Sequence, residues 1–299
     1  MSLVVVGSVA LDTIQTPYGK RERVLGGSCI YFALAAGFFT QPRIVGVIGE
    51  DFPKGYLESL EKRKIDLEGL KIDSGKTFYW EGIYGEDPDY RETVKTELNV
   101  FANFSPVLPE SYKKSDLVFL ANIDPDLQFD VLSQVDNPKL VAIDSMNLWI
   151  QEKFDSLIKV IKKTNILFIN EEEAKMLTQK LNIIKAGKEL LKMGPSTVIL
   201  KKGIHGALVF KKNSLLAVPA YPVEEVIDPT GAGDSFAGGF MGYLDRGGRV
   251  TYSKFCKALI YGSILASFVI EDFSVNRLMN LTPKEIKKRF QEFKKLTSF

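Results

Sequence analysis

Short, apolar, β-branched runs recur along this chain, and segments with helical spacing of apolar residues separate them. The first run is Leu3–Gly7. Arg43–Gly49, Leu117–Ala121, Leu140–Asp144, Ile166–Asn170 and Thr197–Lys201 follow. Runs of this length, apolar on both faces, fit strands covered on both sides. The intervening stretches Ser28–Phe39, Pro53–Lys62, Asp126–Val135, Glu152–Lys163, Glu171–Thr178 and Lys185–Met193 predict helices. Such alternation builds an α/β fold, a largely parallel sheet with helices on both sides. Ligands of open sheets bind beyond the carboxyl ends of the strands. That directs attention to Gly7–Asp12, Asp144–Asn147, Asn170–Glu173 and the turn before Ala232.

One stretch breaks the alternation. Thr77–Tyr84 and Glu92–Val100 are rich in aromatic and β-branched residues, and the polar segment Gly85–Tyr90 joins them. They predict a β-hairpin appended to the main body, in the position of a lid. Further on, Ala207–Lys211 and Leu215–Pro219 read as a hairpin around Lys212–Ser214. Ala232–Leu244, Tyr252–Val269 and Pro283–Lys295 read as three closing helices.

Composition removes several function classes. With 299 residues, 45% of them hydrophobic and 25% charged, the chain can bury a substantial core. Net charge is +2. The basic residues Lys284, Lys287, Lys288, Arg289, Lys294 and Lys295 alternate with apolar ones at helical spacing. They read as a solvated helix face, not as a nucleic-acid surface. No apolar run reaches the roughly 18 residues a membrane span needs, and no signal peptide is visible. Cys29 and Cys256 are too few for a disulfide framework or a zinc site, which suits a reducing cytoplasm. The lone histidine, His205, cannot build a histidine-rich metal centre.

The segment Asp228-Pro229-Thr230-Gly231-Ala232-Gly233-Asp234 opens a small-residue helix. A helix N-terminus offers unpaired N–H groups and the positive end of the helix dipole. With glycines that let a ligand approach, Gly231, Ala232 and Gly233 would form an anion hole for a phosphoryl group. Asp234, in the first turn, could accept a proton from an attacking hydroxyl. The plainer alternative is a glycine-rich helix start stabilised by one acidic residue.

The segment from Asp228 to Met241 closely resembles the C-terminal signature of the ribokinase-like, or PfkB, family of carbohydrate and nucleoside kinases. The resemblance extends over essentially the whole chain. It implies a single ribokinase-like domain over 1–299, a three-layer α/β/α sandwich with a small β lid formed near 13–25 and 76–104. It also implies ATP-dependent phosphorylation of a sugar or nucleoside hydroxyl, with Mg²⁺. Asp234 would be the catalytic base. Asp12, on the first-strand motif Gly7-Ser8 through Asp12, would grip substrate hydroxyls. Gly26-Gly27 resembles the hinge pair of the lid, and Gly49, Asp51 and Gly55 resemble a structural loop that follows. Asn170, Lys201, Gly203, Gly206 and Thr230 would serve ATP. Glu173 would hold magnesium through water, and Asp228 a monovalent cation such as K⁺. Lids in this family sometimes pair two subunits into a homodimer.

Several of these residues keep a second reading. Asn170 and Glu173 also have the spacing of a helix capping box. Lys201–Gly206 also reads as a hairpin turn. Tyr31 stands where family members usually carry a substrate-binding asparagine. A tyrosine there could bond or stack on a flat ligand, so the acceptor's hydroxyl pattern is left open between sugar and nucleoside. A non-catalytic sensor with a kinase fold would be marked by loss of the base or the glycines, and both are present. No Gly-x-Gly-x-x-Gly follows the first strand, which argues against a dinucleotide-dependent oxidoreductase.

Overall fold

The computed structural model describes residues 1–88 and 90–297. Asp89, in the turn expected over Gly85–Tyr90, lies outside the described residues.

Among the described residues, thirteen strands form two sheets. In chain order they are β1 (Leu3–Val6), β2 (Ala10–Thr16), β3 (Gly19–Gly26), β4 (Arg43–Gly49), β5 (Asp66–Asp73), β6 (Phe78–Tyr84) and β7 (Arg91–Glu97). Then come β8 (Leu117–Leu120), β9 (Leu140–Ile143), β10 (Ile166–Asn170), β11 (Thr197–Lys201), β12 (Ala207–Lys211) and β13 (Ser214–Val218). The large sheet has the order β13-β12-β11-β10-β9-β8-β1-β4-β5. It is parallel from β11 through β5; at the other edge β12 alone runs against this direction, so the β11–β12 and β12–β13 pairings are antiparallel.

Alternate residues of the central strands enter different cores. Val5, Ile44, Phe119, Phe168 and Ile199 face the helices Ser28–Ala36, Ala232–Asp245 and Tyr252–Val269. Val6, Val45, Leu120, Ile169 and Leu200 face the helices Pro125–Gln134, Phe154–Ile161, Glu171–Thr178 and Ile183–Lys192. This explains why these strands read as continuous apolar runs: both faces are covered.

The second sheet has the order β3-β2-β6-β7. β2–β3 and β6–β7 are antiparallel pairs, and β2 joins β6 in parallel. Ile14, Tyr84 and Phe273 form a small third core where this sheet meets the main body, with Trp80 and Ile227 packed against it. Asp51, in the loop read as structural, accepts from Thr77 N and Oγ1 at 2.6 and 2.8 Å and from Arg23 Nη2 at 2.6 Å. It thereby ties β3 to the entry of β6.

Three element expectations need correction. The helix expected over Glu152–Lys163 is realised as Phe154–Ile161, but a separate helix that was not expected, Asn147–Glu152, precedes it, with Lys153 between the two. There the Lys153 ammonium is held by Asp124 and Asp126 at 2.7 and 2.6 Å. The strand expected over Glu92–Val100 stops at Glu97, because Asn99 takes a positive φ and turns the chain into a short 3₁₀ segment that buries Val100. The edge strand β5 was not expected at all. Its sequence, DLEGLKID, is half polar, as an exposed edge requires.

Candidate active site

The carboxyl ends of β9, β10 and β11 lie side by side, so three distant parts of the chain meet. Asp144 follows β9, Asn170 closes β10 and Lys201 closes β11. Lys201 Nζ reaches across β10 to donate to Asp144 Oδ2 at 2.6 Å. Between them, Asn170 and Glu173 form a complete capping box. Asn170 Oδ1 accepts from Glu173 N at 2.8 Å, and Asn170 N and Nδ2 donate to the Glu173 carboxylate at 3.0 and 2.7 Å. The capping reading of this motif is thus realised in full, and it points the Glu173 carboxylate at the same cluster. Burial holds that carboxyl above its ordinary range, opposed by the Lys201 charge. Burial alone would lower the Lys201 ammonium, but Asp144 and Glu173 together hold it above its usual value.

The helix Ala232–Asp245 starts beside this cluster. Gly231 is its N-cap with φ 76, and no side chain caps it. The ring of Tyr31 lies against Gly231 so closely that a Cβ there would come within 2.2 Å of it. Only glycine satisfies both the left-handed backbone and this contact. The first regular helical bond is Ser235 N to Gly231 O at 2.8 Å. The Ala232 N–H is turned back to Pro229 O at 3.3 Å. Of the three amides expected to form the hole, the one from Ala232 is therefore partly engaged. Helix geometry leaves the N–H groups of Gly233 and Asp234 without intrahelical acceptors. A Cβ on Gly233 would stand 3.2 Å from Lys201 Nζ, so the lysine ammonium sits over the helix start.

Asp234 projects from this first turn. Burial, then the neighbouring Asp144 charge, push its carboxyl up to about 7, against the opposing pull of Lys201 and Arg91. On the lid side, Asp12 of β2 is 4% exposed and lies directly over Gly26. Burial and the Asp228 charge push it up to about 8, while the Gly27 amide opposes. Gly27 caps the helix Ser28–Ala36, from which Tyr31 projects. Tyr31 is 1% exposed, and its hydroxyl has no hydrogen-bond partner among the described residues. Asp228 is fully buried and both its oxygens are occupied. Oδ1 accepts from Thr230 N at 2.9 Å and Oδ2 from Ser274 N at 2.7 Å.

An apolar cleft of about 430 Å³ opens from Gly233 and Ala232. Val218, Val223, Phe236, Ala266 and Ile270 line it, and Gly203 and Gly206 form part of its rim. Its size and apolar lining suit a flat ligand. Among the described residues no three His, Cys, Asp or Glu side chains converge as a metal cage. The donor set instead suits Mg²⁺ held chiefly by phosphates and water. Each Glu173 oxygen accepts one bond from Asn170 and keeps a second lone pair, so the carboxylate could still take a metal-bound water.

Two lid residues near the site were not among the individual site residues expected from the sequence, although Tyr84 belongs to the aromatic lid strands that favour a flat acceptor. Arg91, in the lid hairpin, packs over Trp80 at 5.5 Å, and its charge acts on both Asp12 and Asp234. Tyr84 Oη lies 3.1 Å from Thr230 Oγ1. Asn147, by contrast, is engaged locally, its Oδ1 accepting from Leu148 N at 3.1 Å.

A helix start without a side-chain cap, a lysine over it and a carboxylate in its first turn come together here, groups chemically suited to an anion and a proton acceptor. The chain matches the model of the pfkB family of carbohydrate kinases over residues 2–281, and it belongs to that family. A cytidine kinase of Thermococcus kodakarensis is 33% identical over 254 residues, covering 83% of this chain and 90% of that one. The nucleoside kinase of Methanocaldococcus jannaschii, an archaeal member of the ribokinase family, superposes with a TM-score of 0.78 at 22% identity, covering 98% of this chain and 99% of that one. A ribokinase from Thermotoga maritima gives 0.78 at 21% identity, over 97% and 99%. The fold is ribokinase-like, and the chain is a phosphotransferase with a hydroxyl acceptor on a sugar or nucleoside. The family implies ATP and usually Mg²⁺. No helix among the described residues is long and apolar enough to cross a membrane.

Proposed function

We propose that this protein is a nucleoside kinase, with cytidine the first acceptor to test, and that Asp234 is its general base. The observation that carries the base assignment is the position of Asp234. It sits in the first turn of a helix whose N-terminus has no side-chain cap, with Lys201 alongside. The cytidine kinase relative, similar over most of both chains, supports the acceptor class.

In this reading the nucleotide base lies in the apolar cleft, and the amides of Gly231 and Gly233, with Lys201, hold the transferring phosphoryl group. Asn170, Gly203, Gly206 and Thr230 shape the nucleotide side. Asp12 orients the acceptor hydroxyl from beneath the lid. Tyr31 contributes through its unpartnered hydroxyl and not by stacking, since its ring is spent on Gly231. Asp234 takes the proton as the hydroxyl oxygen attacks the γ-phosphorus, and the helix start stabilises the charge that develops. Mg²⁺, with Glu173 holding one of its waters, would supply charge neutralisation on the phosphates. K⁺ near Asp228 would share its ligands between backbone carbonyls and the lone pairs that the two amide bonds leave on the Asp228 oxygens. A cytoplasmic setting, where ATP is available, and pairing of two lids through exposed residues such as Tyr18 and Val94 complete the reading.

The test is turnover with ATP and Mg²⁺ across cytidine, other nucleosides, ribose and fructose. Cytidine or another nucleoside should exceed the sugars in kcat/KM by at least tenfold. Preference for a free sugar would overturn the acceptor assignment. Binding without turnover of any acceptor would point to a sensor.

A further inference from the structure

The backbone that presents the anion-hole amides is fastened from three sides. Asp228 holds the Thr230 amide from below, and the Tyr31 ring backs Gly231. Both belong to the main body. The third fastening comes from the lid. Tyr84 is the last residue of β6, opposite Arg91 at the end of the hairpin, and its hydroxyl lies 3.1 Å from Thr230 Oγ1. Tyr84 is 8% exposed, and it packs with Ile14 of β2 and Phe273 of the main body. A second tie runs in parallel. Ser274 Oγ donates to the Leu25 carbonyl of β3, while Ser274 N holds the other oxygen of Asp228. Leu25, Ser274, Asp228, Thr230 and Tyr84 therefore form one hydrogen-bonded chain that begins and ends in the lid.

We propose that Tyr84 is a positioning residue for phosphoryl transfer. Through Thr230, its hydroxyl sets the backbone that leads into Gly231, so the anion hole takes its working shape only when the lid is seated. This rests on the kinase reading above. Donors in such a hole act on the transition state only when held to within a few tenths of an ångström of their place. A lid that closes on the acceptor and also completes the hole links acceptor binding to phosphate activation.

The experiment is a double-mutant cycle on kcat with Tyr84→Phe and Thr230→Val. Each variant removes one end of the same hydrogen bond. Each should lower kcat about tenfold, and in Tyr84→Phe, whose side chain lies on the lid, the KM for ATP should stay within about twofold of wild type. Adding Tyr84→Phe to Thr230→Val should cost nothing more. Thr230→Ser, which keeps the hydroxyl, should restore most of the rate. Multiplying losses, Thr230→Ser as slow as Thr230→Val, or losses that follow a fall in unfolding temperature would each overturn the proposal while leaving the kinase reading intact. Failure of the wild type to phosphorylate any sugar or nucleoside would remove both.

Discussion

Lys201 and Asp144 stand 57 residues apart in sequence and 2.6 Å apart in space, joined across the end of the strand that separates theirs. Asp144 is 6% exposed and Lys201 21% in their side chains. Removing one partner strands the other in a poorly hydrated place, at a cost of about 3 kcal/mol. Lys201→Met should lower unfolding free energy by about that amount in urea titration. Lys201→Met with Asp144→Asn should recover most of it. Both variants should bind ATP weakly in calorimetry, since neither carries the ammonium over Gly233. Equal stability of the single and double variants would mean the pair is not coupled.

Asp234→Asn keeps shape and loses the proton acceptor. Its kcat should fall about 100-fold or more while ATP affinity holds. With the wild-type carboxyl at about 7, kcat/KM should decline as pH drops through that value, because the free enzyme needs the base ionised. Lys201 opposes the upward shift, so in Lys201→Met this limb should move to higher pH. An acidic limb near pH 4 in wild type would contradict the assignment.

Asp12 and Asp234 also predict how stability varies with pH. In the folded chain both lie above their unfolded value of 3.8, at about 8 and about 7. The folded state therefore binds more protons than the unfolded chain between those limits. Stability is greatest at the acid side of this window and is lost as pH rises through about 7 to 8. The ligand-free protein should show a lower unfolding temperature at pH 9 than at pH 5.5. Asp12→Asn should flatten this decline and lie above wild type at pH 9. A variant that declines as steeply as wild type would show that Asp12 is not the source.

Glu173→Gln separates two roles of one side chain. Glutamine can serve in a capping box, so the unfolding temperature should stay within about 2 °C. The magnesium concentration for half-maximal rate should still rise severalfold. Glu173→Ala should lose both cap and metal response. An unchanged magnesium titration for Glu173→Gln would leave this residue a cap alone.

Gly231→Ala asks an L-residue to take φ 76 and to displace the Tyr31 ring. The backbone penalty alone is about 1–2 kcal/mol. Thermal unfolding and ATP calorimetry should both show the damage. A well-folded variant with normal ATP affinity would mean the loop has more freedom than this packing allows.

What could be read from sequence follows the range of the interactions. The bounds of β10 and β11 were legible because both strands are apolar on each face and end on a polar residue. The capping box at Asn170 and Glu173 was legible because its partners are three residues apart. The DPTGAGD segment carried the helix start, the glycines and the acid together. β5 was hidden because an edge strand can be half polar. The Lys201–Asp144 bond was hidden because it depends on the strand order β9-β10-β11, which no local pattern encodes. The same holds for Tyr31, whose ring is taken by a glycine 200 residues on, and for Tyr84 and Arg91. These two looked like ordinary residues of an aromatic hairpin until the lid was placed over the motif.

The lid sheet is sewn from two stretches of chain, 10–26 and 78–97, that meet only along the parallel seam of β2 and β6. Strand β4, part of the main sheet, lies between them in the sequence. The lid is consequently not a removable cassette. Deleting either stretch would leave the other with an open edge, and transplanting a relative's lid would require both pieces, together with a matching contact for Phe273 and Ser274. Exchange of a single segment would therefore carry over only half of the sheet and leave its seam strand without the partner it was matched to.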